Sequence, residues 1–437
     1  MTKIFLPKLY IIALLFFITI SCNKKTNEDK INPSLVRVYL NEITGEQGKT
    51  ETSFVSLDFR ATTDNGFIYI GIGGAGVEST LSKNGSFSLM KIDSKGELIW
   101  EKYYDEASLN LGYGFPSNII ATDIADEYIL FWNKIVNTNF EYYQIKFKVD
   151  ANVAPTLQIS KINLNVGTNK INIGTNENKN GGYIARATQN LAKNGYVLMN
   201  VATNSVRTTD NSEQHKVLIN NISSASPTAN TTLLSETVIK GLRQGIEALR
   251  DYDNHYQLFA TNQYYYNIPD GNDIMALSSV GGTQTPIFRD STSYWVSSVY
   301  QNQGTISLLI NAKSAVDASY YIPSIDLAPN NYNIARIATI ASKVETLSSK
   351  TTTILTTNKD GITILGGSNI QGEIVVAFYK NFQNIFTFEL ANANYVICNI
   401  IMSKDGNFFA IAGTNSVLGQ TWKRPFIVLI PKAEIIK

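Results

Sequence analysis

Thr63-Asp64-Asn65-Gly66-Phe67-Ile68-Tyr69-Ile70-Gly71 near the start of the chain and Lys404-Asp405-Gly406-Asn407-Phe408-Phe409-Ala410-Ile411-Ala412-Gly413 near its end are one phrase written twice. A polar turn leads into an aromatic or aliphatic run that closes on small residues. Close matches stand at Lys359-Asp360-Gly361-Ile362-Thr363-Ile364-Leu365-Gly366 and Asn180-Gly181-Gly182-Tyr183-Ile184-Ala185. Weaker ones are Asp126-Glu127-Tyr128-Ile129-Leu130, Asp253-Asn254-His255-Tyr256-Gln257-Leu258 and Thr292-Ser293-Tyr294-Trp295-Val296. A repeat of this kind decides an architecture before any single strand does. After most copies a second apolar run heads into a turn, as at Phe87 to Ile92, Tyr143 to Val149, Ile274 to Leu277, Ile306 to Ile310, Ile374 to Tyr379 and Phe426 to Ile430. The repeating unit therefore reads as a hairpin with loops of variable length.

Composition agrees, because Tyr, Phe, Ile, Val and Thr dominate short runs that Asn and Gly punctuate. The one stretch with some helical period, Glu236 to Arg250, carries Gly241 and Gly245 inside it, which weakens a helix there. A sheet built from such hairpins cannot bury both faces alone, whereas radial stacking hides both and leaves only short edges. The expectation is an all-β fold, a single β-propeller of seven blades of antiparallel strands over residues 35–437. From Asp64 to Asp405 is 341 residues in six steps, about 57 per step against the 40 to 50 of familiar propeller repeats. Long loops absorb the excess, and uneven spacing leaves six or eight blades open. Leu35 to Leu40 is a strand without a turn phrase of its own, so it is expected to close the ring against Phe426 to Ile430.

Leu89-Met90-Lys91-Ile92-Asp93-Ser94-Lys95-Gly96-Glu97-Leu98-Ile99-Trp100-Glu101-Lys102 resembles the signature of exported β-propeller repeats of Bacteroidota, in which a strand ends Lys-x-Asp, turns at Gly and resumes toward a Trp. The match is sharp over the first unit, keeps only its first half from Asp405 to Lys432, and lacks the Trp in between. The resemblance implies a propeller lipoprotein of the outer membrane, from a family with no single activity. The residues make physical sense on their own. Gly96 permits a positive backbone angle, Asp93 can accept from turn amides, and Trp100 offers a large apolar face to the next unit.

The N-terminus gives an address. Lys3 and Lys8 precede an apolar run from Leu9 to Ile18, and Thr19-Ile20-Ser21-Cys22 comes next, so the segment reads as a signal peptide ending at a cysteine. It resembles a bacterial lipoprotein signal with its lipobox, with Thr19 where an aliphatic residue is usual. The resemblance implies removal of residues 1–21 and lipidation of Cys22. The run is too short to span a bilayer, which takes roughly 20 residues. Two or three acyl chains would anchor the protein firmly, at about 0.8 kcal/mol per buried methylene. Residues 22–34 hold mainly Asn, Lys, Thr, Glu and Asp after the cysteine and read as a lipidated flexible tether.

Without residues 1–21 the 37 basic and 36 acidic side chains become 35 and 36. A near-neutral chain with no clustered basic excess is not expected to bind nucleic acid. Cys398, in Tyr395-Val396-Ile397-Cys398, reads as a buried strand cysteine acting as a small hydrophobe. Gly71-Ile72-Gly73-Gly74-Ala75-Gly76 fits the dinucleotide pattern literally, yet Val77 to Gly85 leads to another turn and strand instead of a helix, so a loop is the better reading. The only histidines, His215 and His255, exclude His-rich metal sites and sit in polar segments without a recognisable partner. No Gly-x-Ser-x-Gly elbow or Lys-bearing phosphate loop is present. Asp251-Tyr252-Asp253-Asn254 and Asp270-Gly271-Asn272-Asp273 offer oxygen ligands but not the twelve-residue calcium loop, and turn chemistry explains both.

Two features suit recognition. Tyr264-Tyr265-Tyr266, expected in a long loop, could hold a sugar face or a protein partner, or could bury one side as a strand. Asp290-Ser291-Thr292 is similar to the O-glycosylation motif of Bacteroidota exported proteins, with Ser291 as acceptor. The sequence-based expectation is thus an outer-membrane lipoprotein, at the cell surface in preference to the periplasmic leaflet. Its partners would be the bilayer through acylated Cys22 and an outer-membrane protein. It would act as a non-catalytic binding or scaffold subunit, with no cofactor and no metal. The alternative is a carbohydrate-binding or glycoside-processing lipoprotein of a polysaccharide-uptake system.

Overall fold

The turn that opens the repeated phrase is held by its own side chains. Thr62 N–H donates to the Gly66 carbonyl at 2.9 Å and Asn65 N–H to the Thr62 carbonyl at 3.1 Å, while the Asp64 carboxylate accepts from Thr62 Oγ1 at 2.5 Å and from Gly66 N–H at 3.0 Å. Asn65 takes the left-handed backbone (φ 63°) that lets the two strands fold back on each other. Ser403, Asp405 and Gly406 repeat the device: Ser403 N–H reaches the Phe408 carbonyl at 2.9 Å, Ser403 Oγ donates to Asp405 at 2.6 Å, and Gly406 has φ 74°. These contacts belong to a computed structural model that describes residues 39–42, 55–72, 87–104, 109, 111, 114–136, 139–167, 182–203, 213–241, 257–261, 264–268, 274–288, 294–302, 305–312, 320–321, 324–326, 353–357, 361–368, 373–381, 383–390, 395–416 and 423–436.

After β1 (Tyr39–Glu42) the chain builds successive antiparallel sheets, each beginning at its inner strand. The first sheet is β2 (Val55–Ala61), β3 (Phe67–Ile72), β4 (Phe87–Ile92) and β5 (Leu98–Tyr104). The second has β6 (Gly114–Pro116) and β7 (Ile120–Ala121) sharing the inner position, then β8 (Glu127–Val136), β9 (Asn139–Lys148) and β10 (Gln158–Ile162). The third is β11 (Tyr183–Gln189), β12 (Gly195–Thr203), β13 (Glu213–Ser223) and β14 (Thr232–Gly241), and the fourth β15 (Gln257–Thr261), β16 (Tyr264–Ile268), β17 (Ile274–Ser278) and β18 (Thr285–Phe288). In the fifth, β19 (Tyr294–Asn302) pairs β20 (Thr305–Ala312), which pairs both β21 (Tyr320–Tyr321) and β22 (Ser324–Asp326). The sixth is β23 (Thr353–Thr357), β24 (Ile362–Ser368), β25 (Ile374–Lys380) and β26 (Gln383–Leu390). The seventh takes β27 (Tyr395–Met402), β28 (Phe408–Ser416) and β29 (Lys423–Pro431) from the end of the chain, which closes on a one-turn helix, α1 (Lys432–Ile435).

The fourth strand of that last sheet is β1. Tyr39 pairs with Leu429, Leu40 with Val428, Asn41 with Ile427 and Glu42 with Phe426, so the start of the fold completes its end, in agreement with the expectation from sequence. Among the described side chains, the second strands β3, β8, β12, β24 and β28 are buried on both faces. In β3, Phe67 and Tyr69 pack with Ala410, Ala412, Ile427 and Leu429 of the seventh sheet, while Ile68 and Ile70 pack with Leu130, Trp132 and Ile145 of the second. Tyr69 lies over the small Ala410 and Ala412 and donates its hydroxyl to the Gly413 carbonyl. Trp100 joins the cluster shared with the second sheet and donates its indole N–H to the Asp150 carbonyl at 3.2 Å, the packing role the sequence suggested. Gly96 has φ 87°, and Asp93 accepts from Lys95 and Glu97 amides at 2.8 Å each.

Three copies of the phrase sit out of phase. Phe67, Tyr128, Ile362 and Phe408 fall in second strands, but Tyr183, Gln257 and Tyr294 fall in inner ones. In the third sheet the equivalent turn is Asn190 to Gly195, closed by Asn190 N–H on the Gly195 carbonyl at 2.9 Å with Lys193 at φ 56°, and Tyr196 to Met199 is its run. A polar turn before an aromatic run marks a strand that comes after a reversal, whichever position in the sheet it takes. Ile306 to Ile310 likewise lies in a second strand instead of a third. Residues 236–241 of the weakly helical stretch form the end of strand β14.

Lys91, the Lys of the Lys-x-Asp signature, is 1% exposed. Its ammonium reaches Asp64 at 2.7 Å, Thr62 Oγ1 at 2.8 Å and the Ile92 carbonyl at 3.3 Å, tying the third strand to the first turn. Burial alone would raise the Asp64 carboxyl, but hydrogen bonds from Lys91, Thr62 and Gly66 outweigh it and hold the group below its ordinary value. The two partners should differ on substitution. Asp64→Ala strands a buried cation and should cost about 3 kcal/mol, whereas Lys91→Met leaves a carboxylate that water can reach and should cost about 1 kcal/mol, measured by chemical denaturation. Because the folded carboxyl is depressed, its stabilisation is present above about pH 4 and is lost as pH falls through the folded value; Asp64→Asn should flatten that acid limb.

Candidate functional site

Inner strands surround the axis of the ring, and they are irregular. Pairing shifts register between Ser56 and Asp58 in β2, Ile184 and Arg186 in β11, Val296 and Ser298 in β19, and Ile397 and Asn399 in β27. A bulge bends its strand and re-aims the side chains beside it. At three of these shifts stand Asp58, Arg186 and Cys398, with Arg60 two residues further along β2.

Asp58 organises the group. Its carboxylate accepts from its neighbour Phe59 N–H at 2.8 Å, from Arg60 Nη2 at 2.9 Å and, across to the second sheet, from Ile119 N–H at 3.0 Å. Arg60 also donates to the Ile119 carbonyl at 3.2 Å, while its Nε is buried without a hydrogen-bond partner. Asp58 is thus almost fully enclosed, whereas the Arg60 side chain keeps 39% of its surface. Arg186 and Cys398 feel the same charges. Desolvation pulls the Arg186 guanidinium down, with Asp58 opposing and Arg60 adding to the effect. Burial pushes the Cys398 thiol up, helped by Asp58 and opposed by Arg186 and Arg60. Both residues are partly exposed. Cys398 is therefore a half-buried thiol beside charged groups, not the core hydrophobe expected from its sequence.

Beside this group, side-chain amides join neighbouring sheets through backbone that the irregular inner strands leave unpaired. Asn118 brackets Ala187 with bonds of 2.9 and 3.0 Å, and the fully buried Asn133 brackets Ile184 with bonds of 2.6 and 3.1 Å. Asx side chains suit this task, since one amide supplies both a donor and an acceptor.

Of the residues singled out in the sequence, Cys22, Ser291, His255, residues 73–76, 251–254 and 270–273 lie outside the described residues. His215 is in β13 and Gly71 near the end of β3. Tyr264, Tyr265 and Tyr266 open strand β16, paired on both sides with β15 and β17, instead of the loop expected for them. Among the described residues no three His, Cys, Asp or Glu side chains gather as a metal site.

No family model matches the chain, and no curated protein does. Solved structures do. Oligogalacturonate lyase from Vibrio parahaemolyticus superposes with a TM-score of 0.52 at 7% identity, over 91% of this chain and 99% of that one. The chain has the β-propeller fold. YCF48 from Cyanidioschyzon merolae (TM-score 0.46, 12% identity, 90% of this chain and 99% of that one) and an oligogalacturonate lyase in complex with manganese (0.45, 9%, 88% and 98%) are also similar. An enzyme shares this fold, which corrects the expectation that the chain is not catalytic. Turn and packing roles for each recognisable motif leave room for a site dispersed over several inner strands.

Asp58→Ala would leave the Ile119 amide and the Arg60 guanidinium without their acceptor inside the ring. It should destabilise by about 2 to 3 kcal/mol in denaturant titration, against less than about 1 kcal/mol for Asp405→Ala, whose bonds stay within one exposed turn.

Proposed function

We propose that the protein is a lipid-anchored binding protein of the outer membrane, a β-propeller whose seven sheets are the seven blades of one closed ring, tethered through acylated Cys22 and presented at the cell surface to an outer-membrane protein. The observation that supports this reading most is the pairing of β1 with β29. It makes the strand next to the tether part of the last sheet, so that a load on the lipid anchor is carried by the closed ring. From Cys22 to Tyr39 the chain can span about 60 Å at full stretch, enough to clear lipid headgroups and reach a neighbouring protein.

An acidic-glycan reading has its own support in the inner strands, where Arg60 and Arg186 stand near one carboxylate, Asp58. Guanidinium groups suit sugar carboxylates because they pair in a planar fork. A panel of acidic and neutral oligosaccharides separates this reading from the protein-partner one: retention of acidic sugars alone, lost in Arg186→Gln, supports it, and equal indifference to both classes rejects it.

Lipidation is checked in cells fed an alkyne-bearing fatty acid. The wild-type protein should take up label and fractionate with outer membranes, and Cys22→Ala should do neither. A labelled Cys22→Ala protein, or an unlabelled wild type, would reject the anchor. Protease treatment of intact cells should remove the wild-type protein if it faces outward.

A further inference from the structure

The turns joining first to second strands, as at Thr62–Gly66, Thr122–Glu127 and Ser403–Phe408, lie at the same end of the ring as those joining third to fourth strands, as at Asp93–Glu97 and 149–157. The hydrogen bonds show it: Val149 N–H donates to the Asp126 carbonyl within the second sheet, and Thr63 N–H donates to Asp126 at 2.9 Å from the first. Strand β1 leaves the ring at this end. Its first residue, Tyr39, pairs with Leu429, two residues from the Pro431 that pairs with Phe408 just beyond the Ser403 turn, whereas its last, Glu42, pairs with Phe426 further from that turn.

Exposed apolar side chains gather at the same end. Among the described residues the three most exposed large hydrophobics are Val280 at 88%, Val153 at 65% and Ile124 at 52%. Val153 lies between β9 and β10, Val280 between β17 and β18, and Ile124 in the turn before β8. Each sits at a turn of the end from which the tether leaves. Apolar tips of this kind are costly in water and are accommodated at a lipid interface.

We infer that this turn face is seated on the lipid surface, with Ile124, Val153 and Val280 entering its interfacial layer, so that the opposite face and the channel mouth it surrounds point away from the membrane. The inference rests on the lipid-anchor reading, which supplies the membrane; the direction of β1 and the positions of the three side chains choose the face.

Amine-directed covalent footprinting tests it on the acylated full chain, reconstituted in vesicles of phosphatidylethanolamine and phosphatidylglycerol. Lys95, Lys193 and Lys404 are exposed on the turn face, and Lys102 and Lys161 lie on the outer strands β5 and β10. On vesicles the three turn lysines should react about threefold or more slowly than in the unacylated Cys22→Ala chain with the same vesicles, while the two outer lysines change little. The mass of the N-terminal peptide reports acylation separately, so an unacylated chain rejects the anchor and with it the seat on the membrane. Turn lysines that keep their solution rates in a chain shown to be acylated overturn the orientation. The acylated I124S/V153S/V280S variant, altered only at exposed positions, should lose most of the protection; full protection in it would overturn the role of the three side chains.

Discussion

The structure depends on one requirement: a sheet with two apolar faces must find a partner on each side. The second strands show it most plainly. In β3 the residues alternate between two different neighbours, Phe67 and Tyr69 toward the seventh sheet, Ile68 and Ile70 toward the second, and β28 does the same with Phe409 and Ile411 on one side and Ala410 and Ala412 on the other. Such strands read in sequence as unbroken apolar runs because neither face meets water. A row of sheets meeting that requirement leaves two raw faces at its ends, and only a ring removes both. The β1–β29 pairing fastens the ring, since it makes the last sheet out of both ends of the chain.

Burial without direction would allow the sheets to slip, and polar groups supply the register. Lys91, buried against Asp64 and Thr62, fixes the third strand on the first turn, while Tyr69 and Tyr142 carry hydroxyls across to backbone carbonyls of adjoining sheets. Each of these groups is satisfied on arrival. A buried ammonium or amide tolerates few arrangements, so these contacts reject shifted packings that Val, Ile and Phe alone would permit.

The hairpins, the ring and its closure were legible because the sequence is repetitive where it turns: Asp64 with Gly66, and Asp405 with Gly406, announce tight reversals that only a few residue types make. Strand position was less so: Gly182-Tyr183-Ile184 and Gly195-Tyr196-Val197 look alike, yet the first begins an inner strand and the second a second strand. The hydrogen-bonded turn at Asn190 to Gly195, with Lys193 in the left-handed region, marks the second of them as following a reversal. The candidate site left less trace. Asp58, Arg186 and Cys398 are brought together by bulges in strands far apart in the chain, and a bulge changes the side-chain period without changing composition.

The two halves of each sheet therefore answer to different constraints. Second and third strands are pressed between neighbours, and their residue types are set by volume and by the turns that precede them. Inner strands have a partner strand in their own sheet on one side only, so they can carry charged side chains where the backbone freed by the bulge is paired. Asn118 and Asn133 meet that condition for Ala187 and Ile184, and Asp58 meets it for Ile119. With the backbone supplied from the sheet next door, Arg60 and Arg186 can stay partly exposed without loosening the ring. That separation explains how one architecture accommodates unrelated chemistries: the packing that holds the sheets together makes few demands on the residues that face the channel.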